Sequence, residues 1–188
     1  MKQEFEIEEY NPIWKKIYLD EKEKLVPIFN NNLSSIHHIG STAIPNTKAK
    51  PEIDILIVIK DDAIISTYYK AIEKLGYAVR GECLENGGTP GRFYFSKDVE
   101  NRRTHKLHVC QIGHTEILSK LLFVKYLNEH QSAAIEYAKI KTNLSKRYNF
   151  GRDIGKYLAG KSEFILNVLD KAQIAYKEMK YVDFIEKD

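Results

Sequence analysis

Glu52 and Asp54 stand one residue apart, directly before the longest aliphatic run of the chain, Ile55-Leu56-Ile57-Val58-Ile59. Ten residues before Glu52 separate it from the pair Gly40-Ser41, and Thr42 is the first of them. Residues i and i+2 of a strand point to one face, so the two carboxylates project side by side. Adjacent carboxylates repel unless a cation neutralises them, and Mg²⁺ prefers such oxygen ligands. A Gly-Ser turn lets backbone N–H groups and a hydroxyl come close to phosphate oxygens. Together these parts could hold a metal–triphosphate and promote attack at phosphorus. Glu52 and Asp54 are therefore the candidate Mg²⁺ ligands, and Gly40, Ser41 and Thr42 the candidate nucleotide-binding loop.

Further candidates surround this pair, each with a plainer alternative. His108 lies on an alternating segment, Lys106-Leu107-His108-Val109-Cys110. A neutral imidazole there could act as base or metal ligand, or be a satisfied core histidine. Lys50 could bind phosphate or simply be exposed. Arg92 opens an aromatic strand after a glycine-rich loop, and its planar fork suits phosphate or carboxylate. Tyr157 and Lys161 are four apart on a helix and share a face, so they could close the site or form a solvated pair. Asp54 itself could be a strand-end acid paired with a lysine.

The elements that position these residues can be read from periodicity and punctuation. Residues 13–30 form an amphipathic helix opened by Pro12 and closed by Asn30-Asn31-Asn32. A strand over 35–39, a polar loop over 40–51 and a strand over 52–59 follow. Asp61-Asp62 caps a helix reaching Leu75, which Gly76 stops. Strands are expected over 77–80, 92–96 and 106–110, with a loop of four glycines over 81–91. After Gly113 the period becomes helical. Leu118, Leu121 and Leu122 share one face, as do Ile165, Val168, Leu169 and Ala172, and Gly151, Gly155 and Gly160 punctuate the region between. The expected class is α+β: a mixed sheet flanked by helices, with a helical C-terminal part.

Composition limits the partners. The 188 residues, 43% hydrophobic and 29% charged, suit one soluble globular domain. No apolar run approaches the ~20 residues of a membrane span. The acidic opening MKQEFEIEEYNP lacks the apolar core of a secretory signal, and Cys83 and Cys110 lack metal or disulfide spacing. A reduced cytoplasmic protein is the expectation. A net charge of +3 argues against nucleic acid as the main partner. The seven Lys/Arg and single acid, Asp153, over residues 139–161 better match a phosphorylated small molecule, or a solvated helix face.

The segment Ile39-Gly40-Ser41-Thr42-Ala43-Ile44-Pro45, with Lys50-Pro51-Glu52-Ile53-Asp54-Ile55, resembles the nucleotidyltransferase superfamily and, more closely, the GrpB family. Tyr10-Asn11-Pro12 with Trp14, His108-Val109, Leu122-Phe123-Val124-Lys125-Tyr126-Leu127, Tyr137 with Lys141, and Tyr157 with Lys161 extend the resemblance along nearly the whole chain. It implies a nucleotidyltransferase fold, in one GrpB-like domain over 1–188, with an α/β core to about residue 113 and a helical part from about 114. It also implies Mg²⁺-dependent transfer of a nucleotidyl group from a nucleoside triphosphate to a small-molecule acceptor. The alternative is a non-catalytic nucleotide-, CoA- or partner-binding module. Three departures bear on that choice. Glu52 stands where members often carry an apolar residue, Lys106 stands where the family has a first histidine, and the 106–110 strand lacks the third carboxylate of active transferases.

Overall fold

The computed structural model describes residues 7–86, 88–148 and 150–185. Most of the acidic opening (residues 1–6) and Gly87 of the glycine loop lie outside them, as does Asn149. The side chain of Arg152, one of the expected basic residues, is likewise not described.

Helix α1 spans Ile13–Phe29, and Asn11 Oδ1 accepts a hydrogen bond from Ile13 N at 3.0 Å at its start. Asn30, at φ +44° and ψ −126°, ends it, its N–H bonded to Val26 O. Trp14, Tyr18, Leu25 and Phe29 recur on one face and enter the core. Glu21 lies buried on that face, held by Tyr77 Oη and by the ammonium groups of Lys24 and Lys97, each at 2.9 Å. That buried charge is therefore paired rather than stranded.

Five strands follow: β1 Leu33–Ile39, β2 Ile53–Ile59, β3 Tyr77–Gly81, β4 Arg92–Val99 and β5 Arg102–Gln111. They form one sheet in the order β1-β2-β5-β4-β3, with only β2 and β5 parallel. This is the expected mixed sheet. Strands β4 and β5 run longer than 92–96 and 106–110, because Glu100 and Asn101 (φ +50° and +62°) turn the chain in a two-residue hairpin. Glutamate is an unusual turn residue, which hides this hairpin in the sequence.

The helix expected from Asp61 is shorter than its pattern. A 3₁₀ turn over Ile65–Tyr68 leads into α2, Tyr69–Lys74. Asp61 Oδ1 accepts from Ala63 N at 2.9 Å, and Thr67 Oγ1 donates to Ile64 O at 2.6 Å. Such local bonds compete with a regular helical start. Gly76, at φ +88°, closes α2 as expected.

The C-terminal part holds α3 Thr115–Glu129, α4 Gln131–Arg147 and α5 Phe150–Ala175. The expected punctuation by glycine is corrected in part. The helix breaks at Asp153 (φ −117°, ψ +22°), between Gly151 and Gly155, but runs on through Gly155 and Gly160. A Cβ at Gly160 would lie 2.5 Å from Leu144 Cδ2, so this glycine lets α5 close on α4 rather than breaking the helix. Among the described residues no helix is long and apolar enough to cross a membrane.

Strand β2 is covered on both faces, which accounts for its unbroken aliphatic run. Ile53, Ile55, Ile57 and Ile59 pack with α1, while Leu56 and Val58 pack with Cys110 beneath Ile117 and Leu121 of α3. Ile44, from the loop after β1, packs among Leu127, Ala134, Tyr137 and Val168, fastening that loop to the helices.

Candidate functional site

The α3-covered face of the sheet turns polar toward its other end. The parallel register of β2 and β5 sets Leu56 opposite His108 and Asp54 opposite Lys106. Moving along β5 from Cys110 to His108 to Lys106 therefore leaves the apolar cover and reaches a charged pocket. Register, not nearness in sequence, joins these groups. Ile39, the last residue of β1, pairs with Asp54, and Gly40 then turns the chain at φ +73°, ψ −170°. A Cβ on Gly40 would stand 2.4 Å from Asp54 Oδ2, so only glycine lets the turn pass over that carboxylate.

A cavity of about 310 Å³ opens at this end. Ser41, Lys50, Glu52, Asp54 and Lys106 line it from the sheet side; Lys141, Tyr157 and Lys161 line it from α4 and α5. Of the expected residues, Ser41, Lys50, Glu52, Asp54, Tyr157 and Lys161 come together here. Gly40 and His108 adjoin it through Asp54. Thr42 does not line it: its buried hydroxyl donates to Glu52 O at 3.1 Å and meets His38 Nε2 at 3.0 Å, bracing the loop from behind. Arg92 also points elsewhere, with Nε 3.5 Å from Glu116 of α3. The arginine at the pocket is Arg103, whose Nη1 donates to Tyr94 Oη at 3.0 Å. Sequence reasoning did not pick out Arg103 or Tyr94, and it noted Lys141 only through the family resemblance.

Five cationic side chains, Lys50, Arg103, Lys106, Lys141 and Lys161, face two carboxylates in this cavity. Lys50 holds Glu52 Oε1, and Lys106 Nζ lies 2.5 Å from Glu52 Oε2. Burial works against an ionised Asp54, but Lys106 and His108 prevail and hold it down to about 2. Burial pushes His108 down to about 4, so its ring is neutral near pH 7. Its Nε2 is 3.5 Å from Asp54 Oδ1, which favours the tautomer with the proton on Nε2, while Nδ1 is buried without a partner. His108 thus orients Asp54 and turns no basic nitrogen toward the pocket.

The two helical lysines differ from Lys106. Burial, then repulsion from Lys161, lowers Lys141 to about 7; burial, then Lys106, lowers Lys161 to about 8. Lys141 Nζ donates to Lys48 O at 2.6 Å and lies 4.4 Å from the Tyr137 ring centre. Lys161 Nζ sits 4.7 Å from the Tyr157 ring centre. Their positive charge is held at a cost that an anion would relieve.

Mg²⁺ requires near-octahedral oxygen ligation at roughly 2.0–2.1 Å. Here both oxygens of Glu52 are taken by ammonium groups, and Lys106, the register neighbour of Asp54, already supplies the main positive charge that holds Asp54 ionised. Among the described residues no group of three or more His, Cys, Asp or Glu is placed to hold a metal. The donor set as arranged does not fit a divalent ion.

Comparison with known proteins follows the same chain positions. The family model described as GrpB protein matches residues 4–171. UPF0157 protein YqkA of Bacillus subtilis is 38% identical over 172 residues, which are 92% of this chain and 48% of YqkA. The chain thus spans about half the length of that relative. The crystal structure of GrpB from Enterococcus faecalis matches with a TM-score of 0.83 and 33% identity, over 92% of this chain and 99% of that one. Cid1 poly(U) polymerase overlaps 71% of this chain and 42% of its own at a TM-score of 0.49 and 14% identity, a likeness too loose to carry an inference.

Proposed function

The chain belongs to the GrpB family, and on that premise we propose that its pocket binds a nucleotide or similar phosphorylated small molecule, holding the phosphates on lysines. The observation that carries this reading is the convergence of Lys50, Arg103, Lys106, Lys141 and Lys161 on one cavity beside the Gly40-Ser41 turn. Ile154 and Leu158, one helical turn apart on α5, line the same cavity while remaining 41% and 51% exposed. They offer an apolar surface to a base or another flat group, which favours a nucleotide over inorganic phosphate. Sheet and helices supply opposite walls, so we treat them as one functional unit. Lys141 and Lys161 turn into the cavity while Lys139, Lys146, Arg147 and Lys156 stay exposed, and the two inward lysines support a small ligand. Free Cys83 and Cys110 are in keeping with a reducing cytoplasm, where we place the protein.

Thermal melting with ATP, GTP, CTP and UTP, each in EDTA and in Mg²⁺, tests the binding. Saturation at 100 times Kd adds roughly 2.7 kcal/mol, a rise of several degrees. The expected result is a rise in EDTA at least as large as in Mg²⁺. No rise with any of the four in EDTA would contradict the proposal.

A second reading is transfer of the nucleotidyl group from a nucleoside triphosphate to a small-molecule acceptor. One observation favours it: the ionised Asp54 carboxylate lies directly under the Gly40 turn, so a reacting phosphate and an acceptor hydroxyl could share that edge. Mg²⁺ enters this reading only if it displaces Lys106 from Glu52. The acceptor oxygen would attack the α-phosphorus and release pyrophosphate, so acceptor-dependent pyrophosphate release with formation of a nucleotidylated acceptor would establish transfer; intact triphosphate throughout would remove it and leave binding alone.

A further inference from the structure

Two carboxylates that share a pocket wall need a counter-ion, and this chain carries one of its own. Asp54 and Lys106 are direct neighbours in the β2–β5 register. From that position Lys106 Nζ reaches Glu52 Oε2 at 2.5 Å, while Lys50 takes the other oxygen. Lys106 is tethered to a central strand whose flanking residues Leu107 and Val109 are fully buried, so its ammonium cannot diffuse away as a bound ion can.

We propose that Lys106 is a resident monovalent substitute for a divalent ion, and that its removal uncovers a divalent-cation site on Glu52 and Asp54. The proposal rests on reading the pocket as a phosphate site, and it explains how that site manages without metal. A divalent ion commonly uses one or two carboxylates, with water and ligand phosphates completing its shell. Once the Lys106 ammonium is gone, Glu52 Oε2 and the Asp54 carboxylate supply that minimum, while Lys50 keeps Glu52 Oε1. With Lys106 present, an arriving ion must expel a tethered cation and accept its repulsion at short range. In the unaltered chain Lys106 also lines the cavity, so the same ammonium that holds Glu52 is open to a bound phosphate. Phosphate binding by this chain is thereby uncoupled from metal supply.

The experiment titrates Mn²⁺ alone, followed by the loss of the free-ion electron paramagnetic resonance signal, into the full chain and its variants. Lys106→Met keeps the length and apolar stem of the side chain and removes its charge; Lys106→Arg keeps the charge. The expected result is binding of one Mn²⁺ by Lys106→Met at least about tenfold tighter than by the unaltered chain or Lys106→Arg. Adding Asp54→Asn to Lys106→Met should abolish the gain. ATP stabilisation of Lys106→Met should also become dependent on Mg²⁺. Lys106→Gln, which keeps a polar contact with Glu52, is read in the same way should the methionine variant not melt cooperatively. Equal Mn²⁺ affinity in the unaltered chain and a folded charge-removing variant would overturn the proposal, and so would tight Mn²⁺ binding by the unaltered chain alone. Failure of ATP to stabilise the unaltered chain, with the Mn²⁺ gain intact, would remove the phosphate reading and leave the role of Lys106 standing.

Discussion

Gly40→Ala is expected to lower the urea midpoint of unfolding and to abolish ATP binding in the same variant. Gly40 sits at φ +73°, ψ −170°, a region essentially confined to glycine, and any side chain there costs roughly 1–3 kcal/mol. The added Cβ would also lie 2.4 Å from Asp54 Oδ2 and 3.0 Å from Asp54 Cβ. Asp54 cannot easily yield, because β1 pairs with it on one side, Lys106 on the other, and His108 meets its carboxylate. Overpacking of this kind costs roughly another 1–3 kcal/mol. A total on the order of 3 kcal/mol should appear as a lower midpoint at unchanged m-value. Gly81→Ala is the control: φ is +65°, but nothing lies within 4 Å of the new Cβ, so only backbone strain of roughly 1–2 kcal/mol is expected. A Gly40→Ala chain of full stability that still binds ATP would show that the turn does not press on Asp54.

Lys161→Met is expected to do the opposite to stability while also weakening binding. In the free chain Lys161 is lowered to about 8, by burial first and by Lys106 next. A lysine whose folded pKa lies below its unfolded one binds its proton less well when folded. Its unfavourable contribution is therefore full below about pH 8 and fades as pH rises toward the unfolded value near 10.4. Methionine fills a similar volume without that contribution, so the ligand-free melting temperature should rise near pH 7. A bound phosphate reverses the balance by stabilising the ammonium, so ATP should bind with proton uptake and lose affinity as pH rises from about 7 to 9. Lys161→Met should weaken ATP binding by about tenfold or more. It should also flatten that pH dependence, leaving mainly the part due to Lys141, which is lowered to about 7. Melting curves and ATP titrations across this pH range check both halves. A variant that loses stability and keeps its affinity would assign Lys161 a purely structural role.

What the sequence revealed follows from how local each signal is. The Gly40–Asp54 segment was legible because a strand period of two and a glycine before a polar residue act within a few positions. Glu52 and Asp54 do share the pocket wall. Lys141 and Lys161 arrive from helices far along the chain, and no periodicity marks them as neighbours of Asp54; helical spacing with Tyr157 drew attention to Lys161, and only the family resemblance to Lys141. The exchange of Arg92 for Arg103 has a single cause. With the 100–101 hairpin unseen, Arg103 read as part of a loop and Arg92 as the head of a strand at the site. In the observed register Arg92 pairs with Cys110, at the apolar end beneath α3, and Arg103 pairs with Asp98 at the other end. Gly160 misled for a related reason. A glycine that admits a neighbouring helix and a glycine that ends its own look alike until Leu144 is in place.

The account's central claim is that the chain itself supplies the positive charge a phosphorylated ligand needs. Calorimetric titration of ATP in excess EDTA at pH 7.5, repeated in two buffers of different ionisation enthalpy, tests this most directly. The account predicts saturable binding of one ATP with net uptake of protons by the protein, owing to Lys141 and Lys161. Absence of binding in EDTA, with binding restored by Mg²⁺, would contradict it.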